Sequence, residues 1–256
     1  RSIYYSHMWF FQPIENAYLF VTKGWKIKRI SYAASFGTDK WEYNEEQTLH
    51  SKEALQMFDA VSVREENGVK LCKHNFDVDA LHVLDPTMLL DANDYIELFK
   101  QKQTPKSKGN LLNYVLDETD EIESLIKKVA SMKKMVPFAV NNPYEGDNTK
   151  PLNQRIKPSV EAWLRGFYDA DFVITDSFHA CVFSIIFKKQ FIVIGNKERG
   201  MARFGSLLKM FGLEERLVDE KVDVNNLYPI DYDKVYNLYG QLKERSLHFL
   251  SENLVS

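Results

Sequence analysis

Cysteine is scarce in this sequence. Cys72 and Cys181 are the only two among 256 residues, they lie far apart, and neither belongs to a CxxC pair. This usage fits a reducing compartment and gives no structural zinc site. We therefore expect both side chains to be small apolar fillers of the core.

An excess of one charge and long apolar runs are also lacking. The formal net charge is −3, so no overall basic field favours nucleic acid as a partner. No apolar run approaches the ~20 residues that a transmembrane helix needs. With 45% hydrophobic and 27% charged residues, the composition is that of an ordinary globular protein.

Three common catalytic signatures are missing. The absence of HExxH, Walker-type and GxGxxG motifs leaves zinc proteases, P-loop NTPases and ordinary dinucleotide-binding proteins without support. Outside the motif discussed below, the histidines show no metal-ligand spacing; they are His7, His50, His74, His82 and His248. We expect neither a metal nor a cofactor.

The chain starts abruptly. Arg1 is not an initiator methionine, and the first twenty residues, RSIYYSHMWFFQPIENAYLF, are rich in aromatic residues without a clear period. We expect that the natural chain continues upstream or has been trimmed there.

Predicted strands and helices alternate along the chain, which is typical of parallel sheets covered by helices. The segment QKQTPKSKG (101–109) is charged and polar and contains both Pro and Gly, as linkers often do. We predict an α/β protein of two Rossmann-like domains, residues 1–100 and 101–256.

Two predicted helices, 44–58 and 233–250, have an expected core face. The first would begin at Asn44, a good helix cap. The residues expected on these faces are Leu49, Ala54, Leu55 and Phe58 in the first helix and Val235, Leu238, Leu242 and Phe249 in the second.

The stretch ADFVITDSFHACVFSIIF (170–187) joins a strand directly to a helix. An apolar run typical of a buried parallel strand is followed by three capping residues and then by apolar residues at helical spacing. Ser177 and His179 therefore lie in the first helical turn, where unpaired N–H groups and the helix dipole attract anions. They suit a phosphorylated or carboxylated substrate, with a hydrogen-bonded packing histidine as the alternative. Asp176 is better suited to capping the helix or orienting His179 than to binding an anion.

Arg64 directly follows a predicted buried strand, 59–63. In open α/β sheets ligands bind beyond the C-terminal ends of the strands, so Arg64 is placed to bind a carboxylate or phosphate. A salt bridge to Glu65 or Glu66, or plain solvent exposure, is the alternative. Ser35 ends another predicted strand among small residues that permit close approach, and is a further substrate-binding candidate.

Arg199 and Arg203 lie four residues apart in a predicted helix, 198–211, and would share one face. They could supply further cations for the same anion. A solvated basic face is the alternative.

Four sequence blocks occur together: SYAASFG (31–37), VSVREENGV (61–69), HVLDPTMLL (82–90) and TDSFHACVFSIIF (175–187). In their residues and in their order along the chain, these blocks resemble the polysaccharide pyruvyl transferase family, in which an Asp-x-x-His element begins a helix of the C-terminal domain. The resemblance covers nearly the whole chain, and the joint occurrence is more specific than any single block.

The resemblance implies a glycosyltransferase-B-like fold with the active site in the cleft between two domains, the N-terminal one being incomplete here. It implies transfer of the enolpyruvyl carbons of phosphoenolpyruvate onto two sugar hydroxyls as a cyclic ketal, in exopolysaccharide or cell-surface glycan synthesis. The acceptor would be a saccharide or a lipid-linked saccharide. The protein would be cytoplasmic or peripheral at the inner membrane face, and a homo-oligomer is compatible with this. His179 would be the acid/base or phosphate anchor, Arg64 would reach the donor from the facing domain, and Arg199 and Arg203 would add positive potential.

The chain departs from the family at two positions. Many members have Arg where this chain has Ser177 and Gly where it has Ala180, so a phosphate-binding cation would come from elsewhere. Two rival functions stay open because a fold does not decide function. A nucleotide-sugar-dependent glycosyltransferase would be stabilised against heat by a sugar nucleotide. A non-catalytic carbohydrate-binding module would bind sugar without releasing phosphate.

Overall fold

The computed structural model describes residues 19–142, 144, 148–195 and 201–254. These residues fall into two compact units, each built from more than one stretch of chain. The first unit comprises the described residues among 1–89, 196–212 and 233–256, and the second those among 90–195 and 213–232. The predicted domain boundary near residue 100 stays a prediction.

Strands and helices alternate through most of the described chain. The strands are β1 (Ile30–Ala34), β2 (Ala60–Val63), β3 (Ala80–His82), β4 (Leu111–Tyr114), β5 (Pro137–Phe138), β6 (Phe172–Thr175), β7 (Gln190–Ile194) and β8 (Leu217–Val218). The helices are α1 (Glu45–Leu55), α2 (Glu66–Leu71), α3 (Ala92–Gln101), α4 (Asp120–Lys133), α5 (Val160–Asp169), α6 (Phe178–Ile186), α7 (Met201–Phe211) and α8 (Tyr232–Leu254).

Within the described residues, each unit contains one parallel sheet. The strand order is β1-β2-β3 in the first unit and β5-β4-β6-β7-β8 in the second, and every pairing is parallel. The predicted α/β class with two parallel sheets is confirmed. Because parallel strands place their carboxyl ends at one edge, each sheet has a single edge where ligand-binding side chains can gather.

A bulge interrupts the register of β1 against β2 between Ser31 and Ala34. Within it Ala33 has a φ of +52°, a left-handed conformation that costs an alanine free energy. The Ser62 hydroxyl donates to the Ser31 carbonyl and accepts from the Ala33 N–H, both at 3.0 Å, and so holds the bulge. Bulges redirect the side chains that follow them, and here the next residue is Ser35.

Helix ends follow local sequence signals. Asn44 forms a full capping box with Gln47 at the start of α1, and the Ser159 hydroxyl accepts from the N–H of Ala162 at the start of α5. Gly212 follows α7 with a φ of +64°, the left-handed conformation of a helix stop. The prediction that Asn44 caps α1 is therefore confirmed, and Ser159 and Gly212 follow the same local rules.

Two core predictions are wrong. In α1, Leu49 is 66% exposed because the buried stripe is formed by Ser51, Ala54 and Leu55, about 200° around the helix from it. In α8, Leu238 stands at the edge of the buried stripe and is 38% exposed.

The place expected for Leu238 is taken by its neighbour Tyr239. This ring is buried, and its hydroxyl donates to the Met88 carbonyl at 2.8 Å. A buried tyrosine needs such a partner, so the hydrogen bond fixes which face of α8 turns inward.

Neither α3 nor β8 is predicted by the sequence patterns. α3 begins with a capping box between Asp91 and Asp94, a signal available in the sequence. β8 has only two residues and pairs with β7, a distant partner that no local pattern reveals.

The two cysteines match their expected role. Both are free and buried. Burial raises the pKa of the Cys72 thiol to about 11 and also raises that of the Cys181 thiol, so both stay protonated and unreactive.

Candidate functional site

The corner between β6 and α6 is held by hydrogen bonds of the Thr175 side chain to the backbone. β6 is the central strand of its sheet and is buried throughout. The Thr175 hydroxyl donates to the Tyr114 carbonyl at 2.6 Å and accepts from the N–H of Ser177 at 2.9 Å. Ser177 is the N-cap residue, although its side chain makes no capping hydrogen bond. The first turn of α6 is therefore fixed against the neighbouring strand β4.

Asp176 fastens a second loop to this corner. Its buried carboxylate accepts from the N–H groups of Leu116 and Asp117 at 2.8 and 2.9 Å. Asp176 thereby ties the loop that follows β4 to the start of α6. These bonds are a different task from the predicted capping of the helix. The predicted role of Asp176 in orienting His179 stays a prediction.

His179 is exposed in the first turn of α6. Its ring stands edge-on to Phe178, with ring centroids 5.4 Å apart. The N–H groups at this helix end and the helix dipole favour an anion beside the imidazole. A solvent-accessible imidazole on a fixed turn can transfer a proton to or from a bound substrate.

In the first unit, Arg64 is held between two carboxylates. Its Nη1 donates to Asp85 Oδ2 at 2.6 Å, and its Nε lies 3.6 Å from Glu65 Oε1. The Arg64 side chain is 13% exposed, whereas those of Asp85 and Glu65 are almost fully buried. Asp85 is fixed in turn by Thr87, whose N–H and hydroxyl donate to Oδ1 at 3.0 and 2.7 Å. The guanidinium is therefore oriented before any ligand arrives.

The predicted salt bridge of Arg64 is thus present with Glu65, but the shorter pair is with Asp85. Glu66 pairs with Lys209 instead, at 2.6 Å. The carboxylate of Asp85 follows β3, the neighbour of β2, so an acidic residue at the end of an adjacent strand is the signal that could have found it.

Glu65 gathers three of the predicted substrate-binding residues around one carboxylate. The Ser35 hydroxyl hydrogen-bonds to Glu65, and the N–H of Phe36 donates to it at 3.3 Å. Burial raises the pKa of Glu65 above its ordinary value of 4.5. The Ser35 hydrogen bond and the charges of Arg64 and Arg203 act against that shift in pKa. Glu65 therefore lies at the centre of this group of side chains. The sequence patterns did not single it out as a site residue.

The remaining predicted cation, Arg199, lies outside the described residues. The expectation that it shares a helix face with Arg203 stays a prediction. The positive charge that the structure does show at this edge comes from Arg64 and Arg203, and it faces the carboxylates of Glu65 and Asp85. When both carboxylates are ionised, the net charge of the two guanidiniums and the two carboxylates is zero.

Among the described residues no group of three or more His, Cys, Asp or Glu side chains could hold a metal ion. In the same part of the chain no helix is both long and apolar enough to cross a membrane.

His82 contacts the backbone of Arg64 at this edge. Its protonation should make the free energy of unfolding depend on pH. Its Nε2 lies 3.2 Å from the Arg64 carbonyl and 3.4 Å from the Ser206 hydroxyl. Burial, helped by the charges of Arg245 and Lys209, lowers its pKa below the ordinary value of 6.5. The unfolded chain therefore binds a proton more readily, so lowering the pH through 6.5 toward the folded-state pKa should destabilise the protein.

We expect His82→Gln, whose amide can keep the hydrogen bond to the Arg64 carbonyl, to lose less stability than the wild type upon acidification. The measurement is urea unfolding between about pH 7.5 and about pH 5, where histidine titrates. The exposed His74→Gln serves as control. Equal pH dependence in the wild type and His82→Gln would contradict the prediction.

A sequence comparison decides the family. The model of the family described as polysaccharide pyruvyl transferase matches residues 3–198. The chain belongs to the polysaccharide pyruvyl transferase family. In this family member the match spans the carboxyl edges of both sheets, including Arg64, Asp85 and His179. Arg203 lies beyond the match, so its place at the Glu65 edge rests on the structure alone.

Comparisons with other proteins add little. A search of curated proteins finds none that matches. A solved structure of the wall teichoic acid polymerase TagF is 13% identical, covers 88% of this chain and gives a TM-score of 0.39. A structure of a variant of that polymerase is 13% identical, covers 79% of this chain and gives a TM-score of 0.35. This pyruvyl transferase family member spans 62% and 55% of the length of those two chains. Likeness this weak carries no argument about function.

Proposed function

We propose that this chain transfers the enolpyruvyl group of phosphoenolpyruvate onto two hydroxyls of a saccharide, forming a cyclic ketal. The observation that carries the proposal is the exposed imidazole of His179 on a first helical turn fixed by Thr175 and Asp176. Family membership supports the same chemistry, and no cofactor is required for it.

The proposed reaction balances without a redox partner. The bond from the central carbon of the donor to the phosphate oxygen breaks, and two bonds from sugar oxygens to that carbon form. One hydroxyl proton ends on the methylene carbon, which becomes a methyl group, and the other leaves with the phosphate. The catalyst must therefore take a proton from an attacking hydroxyl and deliver one to carbon.

His179 is assigned to that proton transfer because its ring is accessible and an imidazole changes charge near neutral pH. Arg64 is assigned to the carboxylate or phosphate of the donor, since its fork of donors suits both groups. Ser177 lies at the corner that carries His179 and can add a hydroxyl donor to an anion bound at this helix end. Ser35 is already engaged with Glu65, which favours a supporting task for it.

A direct test is phosphate release by the purified protein supplied with phosphoenolpyruvate and a methyl hexopyranoside that has free hydroxyls. We expect phosphate and a product heavier than the glycoside by one pyruvate less one water, detected by mass spectrometry. A glycoside with one free hydroxyl is the matched control, because it cannot close a ketal ring. Protection against heat by a sugar nucleotide but not by phosphoenolpyruvate, with no phosphate released, would contradict the proposal.

A further inference from the structure

A hollow of about 210 Å³ lies at the carboxyl edge of the sheet of the second unit. It is formed where β4 and β5 end and where α5 begins. The residues that line it include Tyr114, Val140, Asn141, Lys157, Pro158 and Trp163. Two aromatic rings, the amides of Asn141 and Asn142 and one ammonium group thus line a space that the proposed reaction has not yet used.

The aromatic wall of the hollow is rigid. The Trp163 ring lies 5.6 Å from Tyr114, 4.4 Å from Phe167 and 4.9 Å from Phe183, measured between ring centroids. Phe167 and Phe183 are buried, so they hold the indole from behind. A ring fixed in this way offers an apolar face to a ligand without losing side-chain freedom on binding.

Polar groups around the hollow have hydrogen-bonding capacity left. Among the described residues, neither the Tyr114 hydroxyl nor the Trp163 indole N–H has a hydrogen-bond partner. Asn141 donates its amide N–H to the Val115 carbonyl at 3.3 Å, which leaves its side-chain oxygen as an acceptor. The hollow therefore combines two donors and an acceptor with aromatic faces.

The loop on the far side of the hollow is anchored. The Asn142 amide nitrogen donates to the carbonyls of Gln154 and Ile156 at 2.9 and 2.8 Å. These bonds hold the chain immediately before Lys157 and Pro158, which line the hollow. The position of this wall is thus set by hydrogen bonds as well as by packing.

The hollow adjoins the corner that carries His179. Tyr114 pairs with Thr175 across the sheet, and the Thr175 hydroxyl donates to its carbonyl. Phe183, which touches Trp163, lies one helical turn after His179 on α6. A ligand in the hollow would therefore lie beside the first turn of that helix.

We propose that this hollow binds one pyranose ring of the acceptor saccharide. Sugars present an apolar ring face that packs on aromatic side chains and hydroxyls that both donate and accept hydrogen bonds, which matches the lining. A single ammonium group, Lys157, does not suit a highly charged ligand such as a nucleoside diphosphate. The role of the hollow as an acceptor subsite rests on the proposed function, but its affinity for sugar can be measured without phosphoenolpyruvate.

A second hollow in the first unit fits this ligand less well. It is lined by Trp41, Tyr43, Glu45, Thr48 and Leu49. There the indole N–H of Trp41 already donates to the Thr48 hydroxyl at 3.0 Å. The polar edge of that ring is thus occupied within the protein.

The test is saturation-transfer NMR on the whole chain with the methyl pyranosides of glucose, galactose and mannose as probes. We expect at least one glycoside to bind, and Asn141→Ala and Tyr114→Phe each to weaken it about five- to tenfold, the loss of one hydrogen bond. Trp163→Phe should weaken it further, with circular dichroism to confirm folding. Asn153→Ala and Tyr228→Phe, exposed residues away from the lining, are the matched controls and should bind as the wild type does.

Binding that weakens in the lining variants but not in the controls supports the subsite, whether or not phosphate is released from phosphoenolpyruvate. Absence of binding by all three glycosides, or equal binding in lining and control variants, overturns it. Phosphate release is scored separately. Its absence alongside specific sugar binding would refute the proposed transferase activity and leave the sugar site standing.

Discussion

Replacing His179 with alanine is expected to lower the rate of phosphate release from phosphoenolpyruvate by about 10²–10⁴-fold, the usual contribution of general acid–base catalysis. The imidazole is the proposed group that moves the hydroxyl proton, and alanine cannot replace it. The assay measures phosphate at saturating phosphoenolpyruvate and glycoside, so that kcat reports the chemical step. Since His179 is exposed, the free energy of unfolding should change by no more than about 0.5 kcal/mol.

The matched control for this experiment is His74→Ala. His74 is also exposed and belongs to the first unit, whereas the corner that carries His179 belongs to the second. Its rate of phosphate release should equal that of the wild type. If His179→Ala keeps the full rate while the wild type is active, the imidazole has no part in proton transfer and the assignment is lost.

The structure of this corner could be predicted because its signals are local. The apolar run of β6, the capping residues after it and the helical spacing of α6 all lie within eighteen residues. The caps at Asn44 and Ser159 were predictable for the same reason, since a capping side chain bonds an N–H only three residues away.

The contacts of the candidate site could not be predicted in the same way. Asp176 binds backbone groups about sixty residues earlier in the chain, at Leu116 and Asp117. Arg64 pairs with Asp85 only because β3 lies next to β2, and strand order is a property of the whole sheet. Sequence patterns give the residues that can bind an anion but not the partners that already hold them.

The exposed leucines show a second limit. Leu49 and Leu238 fit a helical period, yet Leu49 lies on the side of α1 away from its buried stripe and Leu238 only borders the buried stripe of α8. When small and aromatic residues are also counted as apolar, a helix has several faces of similar apolarity, and the sequence pattern does not select among them. Only the packing partner, such as the Met88 carbonyl that accepts from Tyr239, decides among them.

Replacing Asp85 with asparagine is expected to destabilise the protein by about 3 kcal/mol, the lower end of the cost of breaking a buried ion pair. The change leaves the guanidinium of Arg64 largely buried and removes its 2.6 Å pair with Asp85, while the Glu65 carboxylate stays at 3.6 Å. The midpoint of urea unfolding should fall while its slope stays unchanged. The KM for phosphoenolpyruvate should also rise, because Arg64 is no longer oriented, whereas kcat should change little.

The control for Asp85→Asn is a carboxylate of the same unit in an exposed pair. Asp79 lies 3.2 Å from Lys73 and its side chain is 90% exposed. Because surface ion pairs contribute at most about 1 kcal/mol, Asp79→Asn should leave both stability and KM nearly unchanged. Adding Arg64→Met to Asp85→Asn should restore part of the lost stability, since the guanidinium that lost its closest carboxylate is then removed, while Glu65 keeps the Ser35 hydrogen bond and the charge of Arg203. If Asp85→Asn were no more harmful than Asp79→Asn, the orientation of Arg64 would not depend on Asp85.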